Sequence, residues 1–118
     1  MSDSETILAR LMSVIEDRRA HPNTRSYTVT LLTAGVEKIG AKICEEAAEV
    51  VDAARKADTP EGRAHLVYEA ADLIYHLFVM LGFHQIQLAE VEAELARRFG
   101  ISGLDEKAAR PPKENSGS

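Results

Sequence analysis

Cysteine occurs once in this chain, at Cys44, so no internal disulfide can staple the fold and a reducing compartment is expected. The thiol itself reads as an inert, buried one. Basic residues are in deficit: 14 Lys and Arg stand against 19 Asp and Glu, a formal net charge of −5. Without a basic footprint, no nucleic-acid partner is expected. Long apolar runs are missing as well, because Asp72 and His76 interrupt the best candidate for a membrane span. No basic segment followed by an apolar stretch opens the chain, so the sequence predicts a cytoplasmic protein with neither a secretory signal nor a membrane partner. Strand-like alternation, internal repeats and a Gly-rich phosphate loop are also absent. What remains, in 118 residues, is one small all-α domain.

Apolar residues at helical spacing supply the elements. Ile7, Leu8, Leu11, Met12 and Ile15 predict a first amphipathic helix to about residue 20, capped by Asp3 or Ser4 and ended by His21-Pro22-Asn23. A short helix follows over Val29–Ala34 with Thr28 as its cap, and Gly35 interrupts. Val36, Ile39, Ile43, Ala47, Val50 and Ala54 step by three or four throughout and predict a helix to about Lys56. Thr59-Pro60-Glu61 is a strong restart: a hydroxyl cap, a proline at the first helical position and an acid in the first turn. The helix from there to Gly82 is apolar over well over half its circumference, so it is expected to be enclosed by neighbours. Its one polar stripe is His65, Glu69, Asp72 and His76. A last helix, about 86–99, ends at Gly100, and residues 104–118 read as a polar, mobile tail beyond a domain of residues 1–103.

Two acidic clusters carry the chemistry. Positions three or four apart share a helix face. Glu46 and Glu49 therefore project together, with Glu45 on an adjacent stripe, and Glu69 and Asp72 project together from the next helix. If the short connection sets the two helices antiparallel, up to five carboxylates converge. Burying such a group uncompensated costs several kcal/mol per ion, so a cation is expected. An all-oxygen ligand set favours Mg²⁺ or Mn²⁺.

Cations beside such a centre suit a polyphosphate: Lys42 lies one turn before Glu46, Lys38 continues the stripe, and Arg25 approaches from the preceding loop. Tyr27, in the same polar loop, is a candidate ligand contact. His76, one turn after Asp72, reads as a group that orients Asp72, with ligand or phosphate contact as the other roles. His65 reads as solvent-facing, and Tyr68 and Tyr75 as packing residues.

At these residues the chain resembles a known family. Glu45-Glu46-x-x-Glu49 followed by Glu69-x-x-Asp72 resembles the metal signature of the MazG-type all-α nucleotide pyrophosphatases. Ser26-Tyr27-Thr28, Lys38-Ile39, Lys42-x-x-Glu45-Glu46-Ala47-x-Glu49-Val50, Tyr68-Glu69-Ala70-Ala71-Asp72-Leu73-x-Tyr75-His76-Leu77 and Val91-Glu92-x-Glu94-Leu95-x-x-Arg98 look, more narrowly, like the phosphoribosyl-ATP pyrophosphatases. The likeness spans roughly residues 5–100.

The resemblance implies a bundle of four to five helices whose core is completed by a homodimer or higher homo-oligomer. It also implies Mg²⁺-dependent hydrolysis of phosphoribosyl-ATP to phosphoribosyl-AMP and pyrophosphate, in histidine biosynthesis. By position, Glu46, Glu49, Glu69 and Asp72 would hold metal. Glu45 would sit behind them or serve a second ion, and Lys38 and Lys42 would meet phosphates. Three other readings compete: a house-cleaning pyrophosphatase of the same superfamily, a non-catalytic helical interaction module, and a di-iron bundle. The last would want Glu-x-x-His pairs, and Glu69-x-x-Asp72 is not one.

Overall fold

The computed structural model describes residues 5–22 and 25–99. These form α1 (Ile7–Ala20), α2 (Tyr27–Ala34), α3 (Val36–Ala54), α4 (Pro60–Phe83) and α5 (Leu88–Arg98), with no strand among the described residues. Two compact units make up the chain, the first ending at Leu88. The expected tail and the Gly100 cap lie outside the described residues.

Hydroxyl side chains start three of the helices. Thr6 accepts from the Ala9 amide at 3.1 Å, Ser26 from Val29 at 3.3 Å and Thr59 from Gly62 at 3.0 Å. Two of these differ from the expected caps. Thr6 takes the first place instead of Asp3 or Ser4. Ser26 takes the second, because α2 begins two residues early and draws Thr28 into the helix. There Thr28 is buried, and its hydroxyl is spent on Tyr75. Gly35 both ends α2 and starts α3 at φ +94°, ψ −173°, a region essentially reserved for glycine.

The first unit is built on the pairing of α3 with α4. Glu46 and Glu49 of α3 meet Glu69 of α4, while Gly40 lies opposite Met80, so the two helices run antiparallel. Their connection is tight at Gly62, where an added Cβ would stand 1.9 Å from the Lys56 carbonyl oxygen. α1 and α2 then cover the far end of this hairpin. Met12 and Ile15 of α1, Leu31 of α2, Ile39 of α3, and Phe78 and Val79 of α4 form the buried core.

Four expectations are corrected here. Gly82 does not close α4: the helix continues through Phe83, and Gly82 is buried in its last turn. Its missing side chain makes room for α1, since a Cβ there would meet Ile15 Cγ2 at 2.6 Å. The actual stop is a Schellman turn. The Ile86 amide donates to the Leu81 carbonyl at 2.9 Å and Gln85 to Gly82 at 2.9 Å, with Gln85 in the left-handed region at φ +59°. α4 is also not enclosed all round by its own chain. Val67, Tyr68, Ile74 and Leu77 are exposed, because three shorter helices cover only one side of a 24-residue one. By length and hydropathy α4 would even pass for a membrane span, despite Asp72 and His76. The burial of Glu69 and His76 against α2 and α3 instead marks it as the central helix of a bundle. Finally, Cys44 is exposed, since it lies one residue off the apolar stripe of α3, about 100° round the helix.

In the second unit, α5 carries Glu94 in a fork with Arg97 at 2.9 Å and Arg98 at 3.0 Å, which pulls its carboxyl down to about 2. No residue of α5 is buried.

The contact at Gly82 yields a test. Gly82→Ala should lower stability by about 1–2 kcal/mol net, overpacking outweighing the gain in helix propensity. Thermal melts should show most of that loss disappearing when Ile15 has already been cut to Ala, a coupling that marks direct contact.

Candidate metal centre

The centre forms where the α3–α4 hairpin extends beyond the apolar core. Glu46 and Glu49 are three apart on α3 and share a face, and Glu69 meets them from α4. One carboxylate oxygen from each of the three lies within 4.8 Å of the others. Glu46 is 6% exposed and Glu69 7%, whereas Glu49 stands open to solvent. The cluster therefore has two walls and one accessible arm.

Its electrostatics are those of uncompensated negative charge. Burial first, and then Asp72, Glu49 and Glu69, push the Glu46 carboxyl up to about 7, with Lys42 opposing only weakly. Glu49 is raised too, by desolvation and then by the charge of Glu69. Glu46 Oε1 and Glu69 Oε1 are fully buried and have no hydrogen-bond partner. A buried acceptor left unpaired costs about 1–3 kcal/mol, and more when charged. Two such carboxylates, clustered with a third, fit a hard cation with oxygen ligands.

The other expected site residues divide between neighbours of the cluster and residues outside it. Asp72 is half-buried and close enough to act on Glu46, yet contributes no oxygen to the 4.8 Å group. Glu45 is exposed, contributes no oxygen to that group and accepts from Lys42 Nζ at 3.2 Å. Lys42 is thus paired with Glu45 rather than Glu46, and Glu45 is the main cause of its raised pKa, followed by Tyr27 and then, more weakly, Glu46. Lys38 and Arg25 are exposed, and among the described residues no ion pair joins Lys38 to the carboxylates.

His76 departs most from its expected role. It is 4% exposed and does not reach the Asp72 carboxylate. Its Nδ1 lies 2.9 Å from the Asp72 main-chain carbonyl, which can only accept, so Nδ1 carries the proton and donates. Nε2 is then an acceptor, and the Tyr27 hydroxyl donates to it at 3.1 Å. Tyr75 packs as expected, beneath Tyr27 and bonded to Thr28. Sequence reasoning misses His65: though largely exposed, its Nε2 reaches Glu69 Oε2 at 3.3 Å. The i,i+4 spacing of the two is the signal that finds it.

The charge cluster sets a pH dependence. In the metal-free protein the fold prefers neutral Glu46, so the stability linked to it is fully present below about 4.5 and is lost as pH rises through about 7. Glu46→Gln should therefore raise the melting temperature in chelator at pH 8 by about 3–8 °C, with little effect at pH 5. A lower melting temperature at pH 8 would contradict the assignment.

Comparison with known sequences bears on what these carboxylates serve. The sequence profile described as phosphoribosyl-ATP pyrophosphohydrolase matches residues 8–99, which contain the whole cluster. The phosphoribosyl-ATP pyrophosphatase of Rhodopirellula baltica is 50% identical over 118 residues, all of this chain and 98% of the relative. That of Geobacter metallireducens is 44% identical over 111 residues, 94% of this chain and 98% of the relative. That of Rhodobacter capsulatus is 50% identical over 105 residues, 89% of this chain and 98% of the relative. With a cluster of acids on a two-helix hairpin and this likeness along nearly its full length, the chain belongs to the phosphoribosyl-ATP pyrophosphohydrolase family.

Proposed function

We propose that the protein hydrolyses phosphoribosyl-ATP to phosphoribosyl-AMP and pyrophosphate, a Mg²⁺-dependent step of histidine biosynthesis carried out in the cytoplasm. The observation that carries this reading is the pair of buried, partnerless oxygens, Glu46 Oε1 and Glu69 Oε1, in a chain of this family. Glu46, Glu49 and Glu69 would hold the cation, with Asp72 at the edge adding negative charge. A hard divalent ion there supplies Lewis acidity toward phosphate oxygens; Mn²⁺ has the same ligand preference.

The chain's own residues do the rest. Lys42 keeps its charge, held beside the cluster by Glu45, and meets phosphate oxygens together with Lys38 and, from the loop before α2, Arg25. Glu49, the one open arm, orients the attacking water. The water oxygen adds to the α-phosphorus, the bridging oxygen leaves with pyrophosphate, and the water proton passes to the carboxylate and then to solvent. Buried Glu46 and Glu69 form the fixed walls of the cluster, each with one oxygen that has no hydrogen-bond partner.

Glu49→Gln should lower kcat/KM for phosphoribosyl-ATP by about 100-fold or more, a loss of roughly 2.7 kcal/mol in transition-state stabilisation. Helicity should be unchanged. Mg²⁺ should raise the melting temperature of the parent protein by mass action, and Glu46→Gln should remove that rise. A panel assay of pyrophosphate release should favour phosphoribosyl-ATP. Preference for dCTP or dUTP would instead indicate a house-cleaning enzyme.

The same proposal includes a homodimer or larger homo-oligomer. The exposed apolar side of α4, with Val67 at 69% and Leu77 at 44% exposed, supports it, together with exposed Val51 on α3. Leu77→Glu should halve or further reduce the mass measured by light scattering; an unchanged monomer mass in both proteins would reject it.

A further inference from the structure

Tyr27 stands half exposed at the first position of α2, yet two neighbours, His76 and Tyr75, hold it. Its hydroxyl donates to His76 Nε2 at 3.1 Å. Its ring lies nearly parallel to Tyr75, with centroids 6.2 Å apart and 20° between planes. The His76 ring meets it edge-on at 5.9 Å and 85°. Beneath, His76 is locked by the Asp72 carbonyl and Tyr75 by the hydroxyl of buried Thr28. None of this immobilisation is needed to bury Tyr27, which stays 50% exposed. A rigid aromatic ring open to solvent is a surface prepared for a flat partner.

Its position relative to the carboxylates narrows the partner. His76 lies seven residues beyond Glu69 on α4, about 10 Å along the helix axis. Lys42 is near enough to Tyr27 and to Glu46 for both to act on it. A nucleotide whose polyphosphate lies at Glu46, Glu49 and Glu69 and along Lys42 carries its base at a distance of that order. Aromatic rings accept any base by stacking and need no hydrogen-bond code.

We propose that Tyr27 is the stacking platform for the adenine base of the nucleotide, and that His76 is a positioning residue that fixes the plane of that platform without touching the ligand. This rests on the nucleotide reading of the site, although its test does not require turnover. The Tyr27–His76 hydrogen bond sets the ring's angle, and the Tyr75 ring supports its inner side. A cation held by the carboxylates would grip the polyphosphate of any nucleotide, whereas the platform responds only to the base.

The test compares ligands with and without a base on the full-length protein with Mg²⁺. The competitors are ATP and tripolyphosphate, read by calorimetry, with steady-state pyrophosphate release from phosphoribosyl-ATP measured in parallel. Tyr27→Leu should weaken ATP binding by about 5- to 100-fold and raise KM for phosphoribosyl-ATP to a similar extent. Tripolyphosphate affinity should stay within twofold, and kcat should fall less than KM rises. Tyr27→Phe keeps the ring but loses the anchor and should raise KM by a few-fold.

His76→Leu should match the phenylalanine variant, whereas His76→Gln, which restores an acceptor for the tyrosine hydroxyl, should recover part of the loss. Melting temperatures accompany each variant; if His76→Leu unfolds, the Tyr27 pair decides the matter, since an exposed side chain can be changed without collapse of the core. Equal losses for ATP and tripolyphosphate, or no change with either, would overturn the proposal. A wild type that binds ATP in a Tyr27-dependent way but does not cleave phosphoribosyl-ATP would uphold the platform and reject the assigned substrate.

Discussion

Three carboxylates with oxygens within 4.8 Å of one another are the constraint on which the rest of this structure depends. Two of them, Glu46 and Glu69, are buried, and each has one oxygen without a hydrogen-bond partner. Mutual repulsion at that distance is held in place only because α3 and α4 are locked antiparallel by a five-residue connection, with Gly62 allowing the backbone to pass close to Lys56. Strain of this kind at one place and good packing elsewhere is the common signature of a binding centre. The apolar core of α1, α2 and the far halves of α3 and α4 supplies the stability that offsets it.

The electrostatics and the packing thus have separate places along one hairpin. Toward the end of α4, Ile15 fits over Gly82, and Phe78 and Val79 meet Ile39 and Leu31. Toward the connection, acids replace apolar residues on the facing surfaces and Val67 and Tyr68 are left exposed. Between the two regions sits the junction of α2 with α4, where Tyr27, Thr28, Tyr75 and His76 form a polar and aromatic seam. That seam joins the rigid core to the reactive end.

Much of this was legible in the sequence, because helical arithmetic is local. The steps of three and four along α3 place Glu46 and Glu49 on one face, and Thr59-Pro60-Glu61 marks the start of α4 to the residue. The family likeness rests on the same residues and extends over 8–99. Where the reading departs from the structure, the missing information is tertiary. Periodicity cannot tell that Gly82 stands against α1 rather than ending α4, nor that Thr28 is claimed by Tyr75 and leaves the cap to Ser26. It puts Lys42 and Glu46 on one face but does not decide that Lys42 turns to Glu45. His76 shares a stripe with Asp72, yet its imidazole bonds the main chain and looks toward α2, a helix the stripe does not mention.

The central claim is that Glu46, Glu49 and Glu69 together hold one divalent cation. Anomalous diffraction from crystals soaked in Mn²⁺ tests it most directly. The account predicts a peak within about 2.0–2.3 Å of one oxygen from each of the three side chains, distances typical of a small hard cation. A peak bound elsewhere, or none at millimolar Mn²⁺ with the three carboxylates sharing protons among themselves, would contradict it.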